Sequence, residues 1–162
     1  MSNARITELL ESGNLPILVT PAITAGGYSA NDIVGGKITI ANAARDPGGS
    51  GLLHSLTIID KGKQAAALEF FFFSADLAGT YADNAAEDIS AADALLNIGV
   101  ISAASADYKA MANYSVVTVR NIGLPYKVAS GATSLFLIVR CTGTPTYAAI
   151  NNLQFRFGLL RD

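Results

Sequence analysis

Apolar and polar positions alternate with a period of two along much of this chain. Over residues 52–60, Leu56, Ile58 and Asp60 share one face and Thr57 and Ile59 the other. Over 115–121, Val117, Val119 and Asn121 oppose Val116, Thr118 and Arg120; over 153–159, Leu153, Phe155, Phe157 and Leu159 oppose Gln154 and Arg156. Successive side chains of a strand point to opposite faces, so this alternation predicts half-buried β-strands. Residues 37–41 read the same way, with Ile38 and Ile40 between Lys37, Thr39 and Ala41. Apolar, β-branched or aromatic runs predict further strands at 17–20, 32–34, 66–73, 99–103, 126–129 and 134–142. The pattern amounts to about eight strands with turn chemistry between them and almost no helix. Four successive aromatics, Phe70 to Phe73, put rings on both faces of one strand. Both faces then need cover, one from the core and the other from more protein or a subunit contact.

Glycine punctuates the pattern. Gly26-Gly27 breaks the chain and Gly35-Gly36 separates two short strands, and both pairs read as corners. Residues 46–51 form a loop by composition, and Lys61-Gly62-Lys63 a hairpin-like turn. Residues 74–97 are irregular apart from a short helix predicted at 90–96, with Ser90 as N-cap and Asp93 at the third helical position. Residues 107–114 fit neither period. A helical period appears at the N-terminus, where Ile6, Leu9 and Leu10 stand at i, i+3 and i+4 and Gly13-Asn14 and Pro16 end the run. A helix that short is marginal alone, so residues 1–14 are expected to be an arm docked on its own domain or on a neighbour.

The expected fold class is therefore all-β: a jelly-roll-like antiparallel β-sandwich of about eight strands over residues 15–162, preceded by the short N-terminal helix. Strand and loop lengths are uneven and no repeat period is visible, which argues against a propeller or solenoid. An immunoglobulin-like sandwich is the second choice, but its Cys–Trp–Cys signature is missing, since the chain has no tryptophan.

Composition changes this picture in one respect. Charged residues make up 15% of the chain, against about 25% in ordinary soluble domains. A weakly charged surface suits a protein packed against other protein, although a small-residue surface with no partner has the same composition. The net charge of −2 and the scattered basic residues argue against nucleic acid as a partner. No segment approaches the ~20 apolar residues of a membrane span, and Arg5 is followed by Glu8 and Glu11 without an apolar run of signal-peptide length. No membrane partner is expected.

Candidate chemistry is sparse. His54 is the sole histidine and stands in a strand pattern, as a partly buried structural residue would. A cupin-type metal site needs several histidines. Cys141 is alone, which excludes an intrachain disulfide and a cysteine zinc site, and it is expected to be buried at a strand end. There is no G-x-S-x-G, and the glycine-rich loop at 47–51 lacks the G-K-[S/T] ending of a phosphate-binding loop. Asp83, Asn84, Glu87 and Asp88 form the densest oxygen cluster, but their spacing is not that of an EF-hand. They read as a solvated acidic loop or as a cap for the helix at Ser90. The chain is expected to be non-enzymatic and to hold no cofactor or metal.

Several long segments resemble proteins encoded among the virion structural genes of tailed bacteriophages. They are TPAITAGGYSANDIVGGK at 20–37, GSGLLHSLTIIDKGKQAAALEFFFF at 49–73, TYADNAAEDISAADALLNIGVI at 80–101, VRNIGLPYKV at 119–128 and FGLLRD at 157–162. The resemblance covers nearly everything after residue 15 and is similar in kind to capsid cement or decoration proteins. It implies a jelly-roll sandwich that assembles as a homotrimer, sits at three-fold positions on the capsid surface and bridges capsomers of the major capsid protein, after assembly in the host cytoplasm. Ile6, Leu9 and Leu10 of the arm, with Phe71 and Phe73, are the expected interface residues. The alternatives are a tail, baseplate or fibre-associated structural protein, and a carbohydrate-binding sandwich module with Tyr28, Tyr81 or Tyr147 as stacking platforms.

Overall fold

The computed structural model describes residues 16–162; the helical arm expected at 1–14 lies outside them. Among the described residues the protein is all-β, and every strand pairing is antiparallel. The strands in chain order are β1 (Ile17–Val19), β2 (Gly26–Gly27), β3 (Ile33–Ile40), β4 (Ser50–Asp60), β5 (Leu68–Phe73), β6 (Asn97–Ala103), β7 (Lys109–Ala110), β8 (Ser115–Val119), β9 (Leu124–Lys127), β10 (Leu135–Cys141), β11 (Thr146–Tyr147) and β12 (Leu153–Arg161). A one-turn helix, α1 (Ala91–Ala94), precedes β6, and a 3₁₀ turn at Ser105–Asp107 follows it.

One sheet runs β1-β12-β4-β8-β7, with β9 also on β4. Strand β4 is long enough to pair with β9 along Ser50 to Leu53 and with β8 along Leu56 to Asp60. Pro125 has no N–H to give a ladder, and β9 is a short strand that among the described residues pairs with β4 alone, where a proline is tolerated. The other main sheet runs β3-β10-β5-β6, and β2 pairs with β11 apart from both.

The two main sheets meet through their alternating apolar faces. Leu56 and Ile58 of β4 and Phe155, Phe157 and Leu159 of β12 are buried against Phe70 and Phe72 of β5 and Leu137 and Val139 of β10. Phe70 meets Phe155 edge-on at 5.1 Å between ring centres, and Phe72 meets Phe157 at 6.0 Å. Both are in the range where edge-to-face pairs add to area burial. The faces read from alternation in β4 and β12 are those that the structure buries.

The glycine pairs differ from expectation. Gly26-Gly27 is not a break but a strand in its own right, paired with Thr146 and Tyr147. Gly35-Gly36 does not separate two strands; it is a bulge inside β3. Lys37 pairs with Ile138 and Ile33 with Arg140, so Val34, Gly35 and Gly36 together oppose Val139 alone. Both glycines have positive φ, 84° and 67°. A Cβ on Gly35 would also lie 2.5 Å from the Pro21 side chain. The helix predicted at 90–96 is shorter than expected, Ala91–Ala94, but its Ser90 Oγ does accept the Asp93 N–H at 3.1 Å.

Candidate functional site

The outward face of the β3-β10-β5-β6 sheet carries the features that bear on an interaction. Residues 69, 71 and 73 of β5 point to this face, beside Phe136, Ile138 and Arg140 of β10. Part of the face is roofed by the chain's own segment 74–96. Ile33, Phe73, Leu77, Tyr81 and Ile138 form a second buried cluster beneath it, with Phe71, Ile89, Leu96 and Phe136 packed around them. The second face of the four-phenylalanine run is thus covered largely by the chain itself.

Two aspartates shape the roof, Asp83 by tying it to the rest of the domain and Asp93 by tying it to itself. Asp83 accepts from the Thr24 N–H and hydroxyl, both at 2.6 Å, from the Tyr28 hydroxyl at 2.8 Å and from the Gly35 N–H at 2.5 Å. Asp93 accepts from the Ala78 and Gly79 N–H groups, both at 2.9 Å, and from the buried Tyr81 hydroxyl at 2.6 Å. The Tyr81 hydroxyl first, then the two amides, hold the Asp93 carboxyl below the usual range. At the edge of the roof, Lys37 Nζ reaches Asp76 at 2.7 Å and the Leu77 carbonyl at 3.0 Å.

Where the roof ends, a cleft of about 400 Å³ opens, lined by Phe71, Glu87, Ile89, Ala94, Asn97 and Val100 and adjoined by Phe73, which itself has no exposed surface. Val100 is 47% exposed, and Leu95, next to the lining residue Ala94, is 87% exposed. Arg140 stands beside it with its guanidinium 5.2 Å from the centre of the Phe71 ring. Glu69 takes Nε and Nη2 of that guanidinium at 2.9 and 2.5 Å, and Glu87 takes Nη1 at 3.1 Å. The Glu69 hydrogen bonds lead in holding the guanidinium charged. The result is an apolar notch with one pinned, half-buried ion-pair triad on its flank.

The sequence-predicted residues separate on this map. Ile6, Leu9 and Leu10 lie outside the described residues. Phe71 is half-buried in the cleft wall, whereas Phe73 is fully buried beneath the roof. Phe73 therefore offers no surface to a partner unless the roof leaves; the alternation that put it beside Phe71 could not show that residues 77–96 cover it. Tyr28, Tyr81 and Tyr147 are buried, which removes the stacking platforms of the carbohydrate-binding reading. His54 is exposed, not partly buried, because β4 is irregular between its pairings with Gly158 and Leu159. Cys141 is buried at the end of β10 as expected, its Sγ 3.2 Å from the Ser29 carbonyl, and burial pushes the thiol up.

The oxygen cluster does not converge. Asp83 is committed to Thr24, Tyr28 and Gly35, while Glu87 binds Arg140 and the Ile89 N–H at 2.8 Å. Among the described residues no group of three or more His, Cys, Asp or Glu side chains is placed to hold a metal ion. Sequence reasoning missed Arg140 and the role of Asp83, whose partners are 48 to 59 residues away along the chain. Comparison of the chain with protein-family models, with curated proteins and with solved structures finds no match.

Proposed function

We propose that this chain is a virion structural protein of a tailed bacteriophage, a capsid cement or decoration protein that binds the major capsid protein and bridges capsomers as a homotrimer. The observation that carries the reading is the order of the strands. Set aside the two-residue strands β2, β7 and β11 and the β9 segment, and number the remaining strands along the chain. One main sheet then reads first, eighth, third, sixth, and the other second, seventh, fourth, fifth. First lies beside last and second beside second-last, so each later strand closes a pairing opened by an earlier one. This nesting, with two sheets joined by an apolar core, supports the jelly-roll sandwich that the sequence resemblance implies.

The surface is consistent with a permanent partner. It is weakly charged, and at the Phe71–Val100 cleft it exposes apolar side chains beside an arginine. Permanent interfaces are the more apolar kind, and repetition over a symmetric shell multiplies a modest contact into strong avidity. Quantitative mass spectrometry of purified particles tests the proposal. Copies in fixed proportion to the major capsid protein are expected. Copies in proportion to tail components would move the protein to the tail, and absence from particles would overturn the virion reading.

A further inference from the structure

Four buried polar side-chain atoms have no hydrogen-bond partner among the described residues and lie in one corner of the core: Asp60 Oδ1, Tyr108 Oη, Ser115 Oγ and Tyr147 Oη. The backbone brings them there from four places. Asp60 ends β4 on the inward face, following Leu56 and Ile58, and Ser115 is its direct cross-strand partner at the start of β8. Tyr147 comes from β11, and Tyr108 from the turn before β7. Asp60, Ser115 and Tyr147 are 0%, 2% and 1% exposed. A Cβ placed on Gly62 would lie 3.2 Å from Asp60 Oδ1, 3.1 Å from the Tyr147 ring and 2.7 Å from Asn152 Nδ2, so these groups face one small space. The charge of Asp60 acts on both phenols, and Tyr108 also acts on Tyr147.

The other carboxylate oxygen is already committed. Asp60 Oδ2 accepts the Ala65 N–H at 2.8 Å, at the end of the turn that leaves β4. Backbone N–H groups of Gln64, Gly62 and Lys63 also act on the carboxyl, but Oδ1 itself has no hydrogen-bond partner among the described residues. Native cores rarely leave one buried polar atom unpaired, let alone four together, and internal water is the usual partner when the groups converge. We infer that this corner is a binding site for one internal water molecule, which joins Asp60 Oδ1, Ser115 Oγ and the Tyr108 and Tyr147 hydroxyls. The water's own four hydrogen bonds are all used. A water donates two and accepts two; it accepts from the two phenols and donates to the carboxylate and to the serine oxygen.

A cation is the weaker occupant. One carboxylate with neutral hydroxyls is a poor set for Ca²⁺ or Mg²⁺, which draw on several charged or carbonyl oxygens. The water ties the β4 end, the β8 start, β11 and the turn before β7 into one network, and so fixes the geometry of that end of the core.

Tyr→Phe variants of the full chain distinguish the possibilities, since each removes a hydroxyl and keeps the ring. With the water in place, Tyr147→Phe and Tyr108→Phe each lower the folding equilibrium constant about tenfold in urea titrations. The double variant then loses less than the product of the two, because both hydroxyls serve the same molecule. A dry corner predicts the opposite sign: removing an unpaired hydroxyl raises stability, and that result overturns the inference. A crystal structure resolving a solvent peak within hydrogen-bond distance of Oδ1 and both phenols supports it, and an empty corner overturns it. Melting temperatures that rise with NaCl, KCl, MgCl₂ or CaCl₂ at constant ionic strength in the wild type, but not in Asp60→Asn, would replace the water with a cation.

Discussion

Asp83 ties the segment 74–96 to Thr24, Tyr28 and β3, and Asp93 ties the segment to itself; both act by accepting hydrogen bonds, not by pairing with cations. For Asp93 the consequence is a pH dependence of known sign. Its native carboxyl is held below the ordinary ~3.9, so the unfolded chain binds its proton more readily than the native one. Its contribution is present above that ordinary value and is lost as pH falls through the native one. Asp60 runs the other way. Burial raises its carboxyl, so its contribution is present when it is protonated and is lost as pH rises through its native value. Urea midpoints of the wild type and Asp93→Asn, measured from neutral pH to below pH ~3, separate the two. The variant is expected to be less stable at neutral pH, and the gap should narrow as acid protonates the wild-type carboxyl. A constant gap would mean that the carboxylate charge takes no part in holding the roof. The local half of this device was legible in the sequence, since Ser90 and Asp93 carry the spacing of an N-cap and its third helical residue. Asp83 was not, because a carboxylate in an alanine-rich loop reads as solvated until the fold brings Thr24, Tyr28 and Gly35 to it.

Strand β3 shows how far alternation reaches and where it stops. Whereas β10 was read from its β-branched run, period two located β4, β8 and β12 and set their two faces apart, because a half-buried strand must alternate. It divided β3 in two at Gly35-Gly36, because a bulge interrupts the period without interrupting the ladder. It also left β2 unread, since two glycines carry no side-chain pattern. The glycines nevertheless differ in what they need. Gly131, with φ of 80° and no atom of the described residues within 4 Å of an added Cβ, needs only the left-handed backbone; Gly35 needs that and the space against Pro21 as well. Gly131→Ala is therefore expected to cost about 1 kcal/mol from backbone strain. Gly35→Ala is expected to cost on the order of 3 kcal/mol, because the bulge or the Pro21 segment must also move. Equal losses in urea titrations of the two variants would show that Pro21 yields freely and that the close approach carries no energy.

At the scale of the whole molecule, stability and the proposed assembly contact fall on different residues of two paired strands, β5 and β6. Phe73 lies under the roof with Ile138 and Leu77, and truncating it removes a fully buried ring from a closed cluster. Val100 pairs with Phe71 across β5 and β6 and stands half-exposed at the mouth of the cleft. If that cleft is a subunit or capsid contact, a charge at Val100 meets a desolvated surface in the assembly and only water in the free chain. Val100→Asp is then expected to keep the wild-type urea midpoint while losing trimers in light scattering, or losing binding to undecorated capsids in co-sedimentation. Phe73→Ala is expected to do the reverse: to lower stability by about 3–5 kcal/mol, yet to assemble normally at temperatures where it stays folded. Were Val100→Asp to assemble and bind as the wild type does, the contact would lie elsewhere. The outward face of the other main sheet would come next, where Leu18, Arg156, Thr57 and Thr118 stand in a row across β1, β12, β4 and β8.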